Sequence, residues 1–364
     1  MMKRRLLPTA LLIALSLTLG YIGYFLFSPS SLVFLAYSPY WFRKNDWKEV
    51  ALDLELIKDM GFDGVRIHYE YVVKDGLVEP LLDYTRDLGL KVIWATHATY
   101  WGSKYPTIDF PNEIIVGEYK NELKEIANAS SKYSHVLYVT VFYPIPFPEP
   151  YNITREQCIE HINSLDFNDA LEDIMGLVKS YNVPCAMESE GRPWDFPITF
   201  IENCDAYFIQ PYSGPEWNNI AKPVILDWKY YFQESGKDVY IGEYGFRTQR
   251  PSYHWDMGMV SNETMKAQLV QKYLDFASVE FGIITYFAMY DGDGDWGLLN
   301  EDRTFRLSGI VAKEWLQNRH AQFKSTLKLT IGALIVLVVA IIATIVWPKY
   351  GRSFRRSPAQ DQGN

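Results

Sequence analysis

The chain has 364 residues, 48% of them hydrophobic and 16% aromatic, which excludes a disordered chain or a minimal domain and fits one large barrel or two ordinary domains. Residues 1–27 and 324–364 hold nine of the 35 basic residues and one of the 44 acidic ones, leaving 26 basic and 43 acidic residues, a net charge of −17, between them. That balance excludes nucleic acid and anionic membrane surfaces as partners of the middle region and suits a neutral ligand such as a sugar.

Residues 6–27 form an apolar run without a charge, preceded by Lys3, Arg4 and Arg5. It is long enough to span a bilayer and longer than the apolar part of a usual signal peptide, so residues 1–31 read as a cytoplasmic stub and membrane anchor, with a signal peptide as the alternative. Eight short apolar or aromatic runs follow: 32–38 (LVFLAYS), 64–69 (GVRIHY), 91–97 (KVIWATH), 136–142 (VLYVTVF), 183–188 (VPCAME), 206–211 (AYFIQP), 238–243 (DVYIGE) and 283–289 (IITYFAM). Helical periods separate most of them, over 47–60, 112–131, 166–181, 219–235, 263–280 and 309–319. Strands alternating with helices pair in parallel through right-handed crossovers, and eight such units over residues 32–322 predict an α/β fold, a (β/α)₈ TIM barrel. An open nucleotide-binding sheet would carry a glycine loop after its first strand, and SPYWFRKN has none.

A second apolar run, 329–347, lies within the last segment, residues 323–364, and is followed by Lys349, Arg352, Arg355 and Arg356. The positive-inside rule then predicts N- and C-terminal transmembrane helices flanking the barrel, with the lipid bilayer as a partner. Both termini would be cytoplasmic and the barrel would stand on the extracellular side of the cell membrane. Such a location permits a disulfide, for which Cys185 and Cys204 are the candidates among three cysteines. No Cys/His spacing suggests zinc. The DGDGDWG stretch at 291–297 lacks the glutamate of a calcium loop, where Asp302 stands, and reads as a barrel loop.

Active sites of such barrels lie at the C-terminal ends of the strands. Polar and aromatic residues gather there: Tyr37, Tyr40 and Trp41, then His68 and Glu70, His97, Tyr143, Glu188 and Glu190, Gln210 and Tyr212, Glu243, and finally Tyr290, Asp291 and Trp296. Flat aromatic faces stack on the apolar faces of sugar rings, while carboxylates and amides bind hydroxyls. On strand seven, alternation puts Val239, Ile241 and Glu243 on one face, so Glu243 is expected to cap a stack of barrel-filling side chains.

Four motifs, GVRIH, WATHATYW, FIQPYSG and YIGEYGFRT, together with the closing YFAMYDGDGDWGLLNEDRTFRLSG, resemble clan A of the glycoside hydrolases, nearest to the family 5 cellulases and mannanases. The resemblance implies Glu243 as nucleophile, Arg66 as the arginine bonded to it, Tyr212 beside it, and His97 as a substrate-binding histidine. Gln210 replaces the histidine usual two positions before the tyrosine. The clan's acid/base, a glutamate after an asparagine at the end of strand four, is absent from VTVFYPIPFPEP.

Hydrolysis needs a second carboxyl group; the substitutes are Glu188 first and Glu190 next, at the end of strand five, with Glu149 on the proline-rich loop after strand four and Asp291 at the end of strand eight as alternatives. His68 reads as a substrate or carboxylate partner, not a metal ligand, and Arg66, His68, His97, Tyr143, Gln210, Tyr212, Tyr290, Asp291 and Trp296 form the expected substrate-binding set. The expected function is a membrane-anchored extracellular glycosidase or transglycosylase acting on an oligo- or polysaccharide, without cofactor or metal. The alternative is a non-hydrolytic carbohydrate-binding or scaffold protein derived from such a barrel.

Overall fold

The computed structural model describes residues 31–95, 107–143, 152–189, 199–214, 216–249, 259–291 and 295–350. The chain divides into two units, Ser30–Gln317 and a second made of Met1–Pro29 with Asn318–Asn364. The first is a closed barrel of eight strands in sequence order, every neighbouring pair parallel, with the first strand hydrogen-bonded to the last.

The strands are β1 (Leu32–Tyr37), β2 (Gly64–His68), β3 (Lys91–Ala95), β4 (Val136–Phe142), β5 (Cys185–Ser189), β6 (Ala206–Ile209), β7 (Asp238–Tyr244) and β8 (Ile283–Tyr286). Between them run α1 (Pro39–Arg43), α2 (Trp47–Met60), α3 (Glu70–Lys74), α4 (Val78–Leu88), α5 (Glu113–Ser130), α6 (Arg155–Ile162), α7 (Leu165–Lys179), α8 (Lys222–Gln233) and α9 (Glu263–Glu280), and α10 (Leu307–Tyr350) follows β8. Side-chain caps and glycine stops set the helix limits. The Asp46 carboxylate accepts from the Lys48 backbone N–H to start α2, and Gly61, at φ 96°, ends it in a conformation that a side chain would strain.

Two apolar layers follow from the period of two along each strand. Phe34, Ile93, Ala186, Ala206, Phe208 and Ile283 fill the barrel, with Tyr138 and Tyr240 packed against them. The opposite faces join the helices in one large outer cluster, which holds Val33, Val65, Val92, Val139, Met187, Tyr207 and Ile284.

Strand seven departs from simple alternation. Val239 and Ile241 belong to the outer cluster, against the helices, and Tyr240 faces the interior. The expected stack of Val239 and Ile241 beneath Glu243 is therefore not formed. Between Ile241 and Tyr244 the pairing with β8 slips: Ile241 lies opposite Ile284 and Tyr244 opposite Tyr286, three steps on one strand against two on the other. Ile241 and Tyr244 both point outward. The two residues between them, Gly242 and Glu243, are left to the interior, as a β-bulge does when it re-aims a side chain.

Among the described residues no helix is long and apolar enough to cross a membrane. This corrects the expectation of flanking transmembrane helices. The run 6–27 lies outside the described residues. The run 329–347 belongs to α10, which begins as the barrel's last helix with Ala312 and Leu316 buried and carries Lys313, Glu314 and Arg319 along its course. Cys158, Cys185 and Cys204 are all free thiols in buried positions.

Candidate active site

The site is built at the C-terminal ends of the strands around one buried arginine. Arg66 lies mid-way along β2, on the inward face that it shares with His68 two residues on. Nothing of its side chain is exposed, and its two terminal nitrogens reach different carboxylates: Nη1 donates to Glu243 Oε1 and Nη2 to Glu188 Oε1. Burial works against the guanidinium charge, but the two carboxylates outweigh it and lift the Arg66 pKa above its ordinary value.

Glu243 opens to the surface slightly, at 6% exposure, and accepts at Oε2 from the Tyr212 hydroxyl at 3.2 Å. His68 Nε2 stands 2.9 Å from Arg66 Nη1 and 3.3 Å from Glu243 Oε1. Burial first, then the Arg66 charge, push the His68 pKa below the ordinary value against the pull of Glu243, so the imidazole is neutral at pH 7. Trp41, on α1, packs 5.9 Å from the His68 ring.

Glu188, on β5, is closed off. Its exposure is 0%, and besides Arg66 it accepts from Gln210 Nε2 at 2.6 Å and from Thr140 Oγ1 at 2.8 Å. Gly242 passes directly over it: a Cβ there would lie 3.0 Å from Glu188 Oε1 and 3.1 Å from Phe208 Cβ. Burial raises the Glu188 pKa, and the nearby Glu243 charge adds to that rise against Arg66, Gln210 and Thr140. Two carboxylates thus share one cation, and the fully buried one, Glu188, is the one whose pKa burial raises.

Of the residues singled out from sequence, Arg66, His68, Glu188, Gln210, Tyr212 and Glu243 come together in this cluster. Trp296 stands beside it, its ring edge-on to Tyr212 at 5.3 Å. Tyr143 lies in the outer layer instead, donating to the Ile162 carbonyl at 3.1 Å and packing 5.2 Å from Phe167. Tyr290 belongs to a second buried network, in which its hydroxyl and that of Tyr37 donate to Asp53 at 2.5 and 2.8 Å, beside Arg43 and Arg303. Asp291 pairs with Arg306 and accepts from the Gly297 N–H at 3.0 Å. His97, Glu149 and Glu190 lie outside the described residues. Thr140 and Gly242 escaped the sequence reading. A lone aliphatic hydroxyl in the run VLYVTVF was the available signal for the first. Among the described residues no group of three His, Cys, Asp or Glu side chains could hold a metal ion.

No protein-family model matches the chain, and no curated protein matches it in sequence. Solved structures do match. A β-glucuronidase from Faecalibacterium prausnitzii aligns at 16% identity and TM-score 0.55, covering 79% of this chain and 48% of its own. An exo-β-1,4-mannosidase from Opitutaceae bacterium strain TAV5 aligns at 12% identity and TM-score 0.54, covering 80% and 60%. Xylanase B from Clostridium stercorarium F9 aligns at 10% identity and TM-score 0.52, covering 78% and 96%. The chain spans about half the length of the β-glucuronidases it matches. Its barrel shares its fold with these glycosidases.

Proposed function

We propose that the barrel is a glycosidase that cleaves β-glycosidic bonds in a neutral oligo- or polysaccharide, with Glu243 as its nucleophile. The observation that carries this reading is the setting of Glu243: a nearly buried carboxylate at the mouth of a glycosidase-type barrel, paired with Arg66 and oriented by Tyr212. A nucleophile so held presents a fixed lone pair to the anomeric carbon. The aligned enzymes bear names of β-glycosidases. Their uronate member is the poorest guide to substrate, because residues 28–323 carry a net −17 and repel anionic sugars.

Glu188 suits a supporting role in this reading. Its oxygens are occupied by Arg66, Gln210 and Thr140, and none of its surface is open to a leaving group. The proton donor in this reading is Glu190, two positions along in sequence from Glu188. A general acid contributes about 10²–10⁴-fold. Glu190→Gln should lose that much on substrates with poor leaving groups, lose far less on activated aryl glycosides, and regain turnover with added azide. Equal losses on both substrate types, without azide rescue, would remove Glu190 from the role. The strand-four departure favours one competing reading, a barrel that binds oligosaccharide without cleaving it, and turnover by the wild-type chain decides between the two.

A further inference from the structure

Lys266, on α9, is a charged residue that the proposed reaction does not use, and none of its surface is exposed. Its ammonium donates to two backbone carbonyls of the loop after β8, Asp295 at 2.6 Å and Gly297 at 2.8 Å. Those are the carbonyls on either side of Trp296. Among the described residues the nearest carboxylate oxygen, on Glu263, is 3.8 Å away, and the close partners of the ammonium are main-chain dipoles. A buried ammonium is costly unless it is well bonded, and an apolar residue would fill the space as well. What the charge adds is a grip on this segment.

The rest of the segment is fastened to the same end of the barrel. The Asp295 carboxylate accepts from the backbone N–H of Thr248 at 2.7 Å and of Gln249 at 2.8 Å, in the loop after β7. The Arg247 guanidinium lies 4.7 Å from the centre of the Trp296 ring. Gly297 passes so close to the backbone of Tyr290 and Asp291 that a Cβ would lie 2.6–2.7 Å from it. The indole held in this way meets Tyr212 edge-on at 5.3 Å, and Tyr212 donates to Glu243 at 3.2 Å.

We propose that Lys266 is a positioning residue of the site: its buried ammonium, holding the carbonyls that flank Trp296, sets the indole against Tyr212 and so fixes the hydrogen bond that Tyr212 gives to Glu243. The functional part of this statement rests on the glycosidase reading of Glu243; the positioning of Trp296 does not.

Because burial lowers the Lys266 pKa to about 8, the grip weakens in an accessible pH range. Among the described residues the charged groups that act on it are Glu263 on its own helix, Asp291 and Asp295 in the β8 loop and Arg306 ahead of α10, and Tyr286 on β8 senses Glu263, Asp295 and Arg306 in turn. Burial raises the Tyr286 phenol and, to a lesser extent, the Asp291 carboxyl, while hydrogen bonds from Thr248 and Gln249 keep Asp295 low against the effect of burial.

The test is ¹⁹F NMR of the full-length chain labelled with 5-fluorotryptophan, with the Trp296 signal among the 11 tryptophans assigned through Trp296→Phe. The expected result is a chemical-shift step of the Trp296 signal with a midpoint near pH 8, absent in Lys266→Met, whose other signals keep their dispersion. A Trp296 signal that does not move across pH 7–9 in the wild type overturns the proposal even if Lys266→Met does not fold. A step that survives in Lys266→Met belongs to another group and overturns it as well. A step that vanishes in Lys266→Met, in a chain that cleaves no glycoside, supports the positioning and removes only the glycosidase reading.

Discussion

At the scale of single residues, the site turns on how one cation serves two acids. Arg66 is fully buried between Glu188 and Glu243, so removing it strands carboxylates away from water. Breaking a buried pair by deleting one partner costs about 3–5 kcal/mol. Arg66→Met should lower the unfolding free energy by that order at pH 7 in urea titrations, and by less at pH 4, where protonation relieves the stranded charge. Glu188 makes a separate prediction. Its pKa is raised in the fold, chiefly by burial, so between the ordinary carboxylate value and its raised value the native state holds more protons than the unfolded chain. Its contribution to stability is therefore full below the ordinary value and lost as pH rises through the raised one. The difference in unfolding free energy between wild type and Glu188→Gln should change in that direction over the interval. A difference that stays flat with pH would show that Glu188 is ionised throughout.

The same residues mark how far the sequence can be read. Strand parity and the GVRIH motif made Arg66 and His68 legible, while Tyr212 and Glu243 were legible from their motifs alone. Tyr143 and Tyr290 met the same criterion of an aromatic at a strand end, yet the fold gives each hydroxyl a partner elsewhere, in the Ile162 carbonyl and in Asp53. A phenol at the end of a strand can turn either way, and sequence does not record which buried acceptor is nearer.

At the scale of elements, β7 decides the geometry. Its slip against β8 turns Gly242 and Glu243 inward in succession, which strict alternation forbids. The bulge has no composition signature in DVYIGEY beyond its glycine, so the strand was legible and its inward set was not. Gly242 is what lets the bulge sit over Glu188 and Phe208. Gly242→Ala brings a Cβ to 3.0 Å from the Glu188 carboxylate. Crowding of this kind costs about 1–3 kcal/mol, read as a lower urea midpoint, and it should also reduce whatever activity depends on Glu243. An unchanged midpoint would mean that the strand relaxes around the methyl group and that the bulge is not fixed by this contact. Helices were harder to read than strands. The long α2, α5 and α9 matched their predicted spans closely, while α4, α6 and the short α1 and α3 were missed, the last two being single turns set by tertiary contacts.

At the scale of the whole molecule, eight strands and their parallel closure followed from the alternation of apolar runs with helical periods, and the barrel fixes where chemistry is to be sought. Length and apolarity alone misled at the C-terminal run, which belongs to a helix that starts as part of the barrel. The central claim is that Glu243, held by Arg66 and Tyr212, is the group that attacks a glycosidic bond. Its most direct test is hydrolysis of a panel of chromogenic β-glycosides and neutral polysaccharides by the full-length wild-type chain and by Glu243→Gln. The account predicts cleavage of at least one substrate by the wild type and none above background by the variant; equal activity in both, or binding by the wild type without cleavage, would contradict it.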